Sequence, residues 1–145
     1  MNAFFEVSIR CSEITEEGKV KKHRKKYLLD SVSFSEAEAR IIEKLKEMIQ
    51  GDFRIEAIKK SNITELVESK DGNDDKWFKA KVAIIDADSI SGREKKTNQY
   101  FLVAGSDVDK ALENLKKSLS TYVISTDVVQ IGDSNIMDVF PYFDN

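Results

Sequence analysis

The sequence predicts an α+β protein made of two tandem, pseudo-symmetric ββαβ repeats whose strands form a mostly antiparallel sheet with helices on one side. Three observations carry this. First, Ser61-Asn62-Ile63-Thr64-Glu65-Leu66-Val67 returns as Ser134-Asn135-Ile136-Met137-Asp138-Val139-Phe140 about 73 positions later, and self-similarity at a fixed period marks an internal duplication. Second, each echo is preceded by the same order of features: an aromatic pair (Phe4-Phe5, Trp77-Phe78), an alternating run, a turn glycine, a basic stretch, a Tyr-led apolar run and a helical pattern. Third, the apolar period switches from two to about 3.6 at the same place in both copies. The boundaries read as 1–67 for the first repeat, 68–76 for a linker, 77–140 for the second repeat and 141–145 for an acidic aromatic tail.

In the first strand Phe5, Val7, Ile9 and Cys11 fall at every second position, so they share one face and Phe4, Glu6, Ser8 and Arg10 take the other. Phe78, Ala80, Val82 and Ile84 repeat the pattern, with Trp77, Lys79 and Lys81 opposite. Gly18 and Gly92 close polar turns, where positive φ costs glycine no steric penalty. The returning strands end in Tyr27-Leu28-Leu29 and Tyr100-Phe101-Leu102-Val103. Tyr27 and Leu29, matched by Phe101 and Val103, are expected to face the core. Lys22, Arg24 and Lys26, and Lys96, Asn98 and Tyr100, then point away from it.

Ser35-Glu36-Ala37-Glu38 has the form of a capping box and predicts a helix start. Ala37, Ile41, Leu45 and Met48 make its apolar stripe, and Ala111, Leu115, Leu119 and Tyr122 make that of the second helix, capped by Ser106 or Asp107. A third strand follows each helix, near Phe53 to Ile58 and Val123 to Ile131, and the Ser-Asn-Ile segments read as structural corners.

With 41% hydrophobic and 34% charged residues and one proline, the 145-residue chain has the composition of a globular protein with a polar surface. No apolar run approaches the roughly 18 residues of a membrane helix, and the start lacks a signal-peptide layout, so the expected location is the cytoplasm without membrane attachment. One cysteine and one histidine exclude an internal disulfide and the usual zinc set. Cys11 is expected to be a buried core thiol. No cofactor or metal is implied.

The stretch Tyr27-Leu28-Leu29-Asp30-Ser31-Val32-Ser33-Phe34-Ser35-Glu36-Ala37-Glu38-Ala39-Arg40-Ile41-Ile42, with Met137-Asp138-Val139-Phe140-Pro141-Tyr142, resembles a family of small proteins from Bacteroidetes and their phages catalogued as domain of unknown function DUF4494. The resemblance runs over nearly the whole chain. It implies membership in a group carried by crAss-like gut phages, a location in the host cytoplasm for a phage-encoded copy, and a role in binding single-stranded DNA. It implies no catalytic residues.

The residues themselves point the same way. Net charge is -3, yet Lys19 to Lys26 holds six cations and no acid. Single-stranded nucleic acid needs cations for its phosphates and flat rings for its bases, and a sheet face displays both at regular spacing. The candidates are Arg10, Lys22, Arg24 and Lys26 in the first repeat and Trp77, Lys79, Lys81, Lys96 and Tyr100 in the second. The plainer reading is that the lysines solvate and protect an edge, and that Phe4 and Trp77 share a structural task. There is no nucleophile elbow, phosphate-binding glycine loop or metal cluster, so the expectation is a non-enzymatic protein. The competing function is a protein-interaction or phage assembly module that binds no nucleic acid, with self-association or a partner engaging the acidic aromatic tail.

Overall fold

The computed structural model describes residues 3–88 and 90–141. The elements run β1 (Ala3–Ile14), β2 (Val20–Ser31), α1 (Phe34–Met48), β3 (Phe53–Lys60), β4 (Ile63–Val67), β5 (Lys76–Ala87), β6 (Glu94–Gly105), α2 (Val108–Leu119), β7 (Ser125–Asp133) and β8 (Ile136–Phe140). The class is α+β, and the order ββαββ occurs twice. Each half has one strand more than expected, because both Ser-Asn-Ile segments lead into strands rather than forming corners.

The strands build two four-stranded sheets, ordered β3-β1-β2-β8 and β4-β6-β5-β7. These correspond to two compact units that cut across the sequence halves. Unit one contains β1, β2, α1 and β3 together with β8, and unit two contains β4 to β7 with α2. The last strand of each half is therefore built into the other unit. Within each sheet the hairpin and the third strand pair antiparallel, whereas the incoming strand lies parallel to the second hairpin strand, β8 on β2 and β4 on β6.

The alternation sets the faces as expected. Val7 stands opposite Tyr27 and Phe5 opposite Leu29, and these four with Ile9 and Cys11 are buried under α1. In unit two Phe78, Ala80, Val82, Phe101 and Val103 pack in the same way under α2. Ile84 is only half-buried. Gly18 (φ 79°) and Gly92 (φ 70°) occupy the left-handed region in the hairpin turns.

Helix α1 starts two residues earlier than the capping box around Ser35 suggested. Ser33 is the N-cap: its backbone is extended (φ -156°, ψ 165°), its side chain accepts from Glu36 N, and its carbonyl takes the Ala37 amide at 3.0 Å. Both Ser33/Glu36 and Ser35/Glu38 fit the capping pattern. Ser31 decides between them, because its hydroxyl donates to the Ser33 carbonyl at 2.9 Å and holds the turn there. Helix α2 starts on Asp107, which accepts from Lys110 N at 2.8 Å.

Ala37, Ile41, Leu45, Ala111, Leu115 and Leu119 form the buried stripes, at about 1.5 to 3 kcal/mol for each large side chain. Met48 does not belong to them. It is 50% exposed, because the chain turns to extended backbone at Ile49 (φ -108°, ψ 121°) and that residue packs on the core in its place. Tyr122 lies beyond the end of α2 and is 37% exposed, although its ring stays 6.4 Å from that of Phe101.

The segment between β4 and β5 is tied down by Asp74, which accepts from Ser69 Oγ at 2.5 Å, Ser106 N at 3.1 Å and Asn114 Nδ2 at 3.0 Å. Among the described residues no helix is long and apolar enough to cross a membrane.

Candidate nucleic-acid interface

In unit one the period-two alternation of β2 sends its cations to both faces of the sheet. Tyr27 and Leu29 lie under the helix, so Lys22, Arg24 and Lys26 point the other way. Arg10 joins them on β1, directly opposite Arg24, and Arg54 on β3 is directly opposite Arg10. Three guanidinium-bearing residues thus cross the sheet in one row. Like charges placed opposite one another repel, and the fold answers with Glu56. It sits where the β1–β3 register shifts between Ser8 and Ile9, and such a bulge re-aims a side chain. Its carboxylate lies 2.9 Å from Arg10 Nε and 3.4 Å from Arg24 Nε. Arg24 remains 72% exposed in its side chain.

Lys21, His23 and Lys25 take the opposite parity, that of the helix side. Glu13 lies 3.3 Å from His23 Nε2 and 3.2 Å from Lys25 Nζ. Burial, the largest single influence, would lower the Lys25 pKa, but the Glu13 hydrogen bond and the charge interactions with Cys11, Tyr27 and Glu13 together outweigh it, and the ammonium is held above its ordinary value. Farther along the helix-distal face Leu28, Ile136 and Val139 are buried. The cationic part of this face is therefore the part toward the hairpin turn.

In unit two Trp77, Lys79 and Lys81 on β5 and Lys96 and Tyr100 on β6 share the face away from α2, as the alternation required. Lys81 stands opposite Tyr100, and Lys79 Nζ lies 5.2 Å from the centre of the Tyr100 ring. At that distance the ammonium is attracted to the negative face of the ring. Lys79, Lys81 and Tyr100 line a cavity of about 280 Å3 with Gln130, Gly132 and Asp133 from β7. A side chain added at Gly132 would meet nothing within 4 Å, so the glycine leaves this end of the cavity open.

Trp77 and Lys96 lie on the same face but outside the cavity lining. Trp77 is half-buried, and its carbonyl accepts from Ser134 Oγ at 2.6 Å. Phe4, at the matching place, accepts from Ser61 N at 2.8 Å. Both aromatics thus anchor, through their backbones, the connectors that lead into β8 and β4. Lys96 is exposed, opposite Ile85 toward the hairpin turn.

Sequence reasoning did not single out Arg54, Glu56 or Gln130. Arg54 was readable, since Phe53 and Ile55 flank it at strand spacing. Glu56 and Gln130 were not, because both stand beside bulges that shift the parity. Of the expected tail, residues 142–145 lie outside the described residues, and Pro141 offers its carbonyl to Arg40 Nη2 at 3.1 Å. No group of three or more His, Cys, Asp or Glu among the described residues could hold a metal ion.

The model of a family described as Domain of unknown function (DUF4494) matches residues 3–142. No curated protein matches the chain.

Proposed function

Because the chain belongs to the DUF4494 family, whose description assigns no chemistry, we propose a function from its own residues: non-enzymatic, sequence-tolerant binding of single-stranded nucleic acid, DNA in the first instance, on the helix-distal sheet faces. The observation that carries this is a difference between the units. Where unit two sets Lys79, Lys81, Tyr100 and Gln130 around a cavity, the same ladder positions of unit one hold Glu6, Ser8, Lys26 and Ala57. The fold is built without the cluster in one unit, so packing does not require it in the other.

The chemistry suits an unpaired strand. Tyr100 offers a ring for a base, worth about 1 to 3 kcal/mol if stacked. Lys79 and Lys81 flank it at phosphate-neutralising positions, and Gln130 supplies an amide able to donate and accept. In unit one Lys22, Arg24, Lys26 and Arg10 add sequence-independent phosphate binding, which sets the salt dependence. On the same reading the protein works in the cytoplasm, that of the host where a phage encodes it.

A second reading, an assembly module without nucleic acid, is favoured by the open outer edges of β3 and β7, each at the end of its sheet. Titration of labelled single-stranded oligonucleotides at two salt concentrations tests the first. Binding should weaken with salt and should fall in both Lys22/Arg24/Lys26→Ala and Lys79/Lys81/Tyr100→Ala triple variants. No binding at low salt, or binding unchanged in both variants, overturns it.

A further inference from the structure

We propose that copies of this chain associate head to tail, the outer edge of β3 on one copy pairing antiparallel with the outer edge of β7 on the next. The inference is independent of nucleic-acid binding. Both strands lie at the end of their sheet, and each has one ladder partner among the described residues, β1 for β3 and β5 for β7. An edge of eight or nine residues presents a row of unpaired amides and carbonyls that can template another strand.

The two edges are opposite in charge. β3 carries three exposed cations, Arg54, Lys59 and Lys60, against one acid, Glu56, which is taken up by Arg10 and Arg24, whereas β7 carries Asp127 and Asp133, both exposed, and no Lys, Arg or Pro. The guards that normally blunt an edge are therefore present on β3 as lysines and missing in that form from β7.

The pleat then selects the register. Ile55 and Ile58 face α1, and Val128 and Ile131 face α2. Setting Ile55 opposite Ile131 and Ile58 opposite Val128 keeps every residue beside one of its own face. In that register Lys59 lies opposite Asp127, an opposite-charge cross-strand pair. The bulges also coincide, Ala57 falling opposite Val129, so neither interrupts a regular stretch of the other strand.

Pairing of like edges fails the same test. Two β3 strands matched by face set Arg54 against Lys59 twice, and two β7 strands bring no cation to their aspartates. Between these two edges, charge thus favours the heterologous pair. A heterologous interface generates a ring if the rotation closes and an open chain of subunits if it does not.

Sedimentation velocity of the full-length protein over a concentration series, at low and high salt, tests this. The sedimentation coefficient should rise with concentration at low salt and fall back at high salt. Lys59→Asp and Asp127→Lys should each leave a monomer, and the double charge exchange should restore assembly. Both side chains are exposed, so folding is expected to survive, and circular dichroism checks it. A single monomeric species at every concentration, assembly unaffected by both single variants, or a double variant that stays monomeric overturns the proposal. Oligonucleotide binding, read on the same samples, should persist in the monomeric Asp127→Lys variant and be no weaker, since the change exchanges an acid for a cation on the helix-distal face; its persistence without assembly separates this outcome from that of the nucleic-acid reading.

Discussion

Asn114 of α2 performs the task that Arg40 performs in α1. Asn114 Nδ2 donates to the Ala104 carbonyl at 2.9 Å, and Arg40 donates to the carbonyl of Asp30, the residue at the matching place near the end of β2. Each also reaches the segment that follows the incoming strand, Asp74 after β4 and Pro141 after β8. Helix, hairpin and incoming strand are thus fastened by one side chain in each unit. Asn114→Leu should destabilise the protein by about 1 to 3 kcal/mol, the cost of stranding a partly buried acceptor. Urea unfolding measures it, and oligonucleotide affinity measured on the folded variant should not change.

Asp74 makes this junction sensitive to acid. Its hydrogen bond from Ser69, followed by that from Asn114, outweighs desolvation and holds its pKa below the ordinary 3.8. A carboxylate depressed in the folded state contributes stability that is fully present above the unfolded pKa and is lost as pH falls through the folded one. The stability difference between the protein and Asp74→Asn should therefore be constant near neutral pH and shrink below about pH 4. Thermal melts across that window read it, and a difference that grows on acidification would contradict the assignment.

Gly105 is required by packing. A Cβ there would stand 2.7 Å from the Ala111 amide nitrogen, which is helix backbone and cannot move aside as the end of a flexible side chain could, whereas one at Gly72 would meet nothing within 4 Å. Gly105→Ala should cost about 1 to 3 kcal/mol or more by displacing α2 from β6. Gly72→Ala should be close to neutral, and the pair measured together by denaturant midpoint isolates the effect of the close approach.

Glu56 holds Arg10 and Arg24 on the cationic face. If that face takes a polyanion, Glu56→Gln removes a competing carboxylate. Affinity for a single-stranded oligonucleotide should then rise several-fold at low salt, and the slope of log affinity against log salt should steepen by up to about one. Weaker binding in this variant would mean that Glu56 orders the arginines rather than competes for them.

The sequence made the local structure legible for local reasons. Strict alternation put Phe5, Val7, Ile9 and Cys11 on one face, Gly18 and Gly92 marked turns, and Lys22, Arg24 and Lys26 opposed Tyr27 and Leu29 because no bulge interrupts β1 against β2. The same alternation correctly put Lys79, Lys81 and Tyr100 on one face. It could not find the cavity they line, since that depends on Gln130 and Gly132 arriving from β7 across a bulge. Ser33 and Ser35 offered equal capping patterns, and the choice fell to a hydrogen bond from Ser31. Strand choice was the least visible: nothing in Ile63 to Val67 says which β2 or β6 it will join, because the echo in Ile136 to Phe140 makes the two strands near-equivalent in sequence.

That last ambiguity has a consequence for how the molecule comes apart. A protease cut in the exposed turn at Gly72 would yield one piece that keeps β4 and another that keeps β8. Each piece would own the strand that finishes the other's sheet, parallel to β6 in one case and to β2 in the other. The nicked protein should remain a single particle by size, and neither piece should be recovered folded without the other. The two halves relate less as neighbouring domains than as hostages exchanged, each guaranteeing the other's structure.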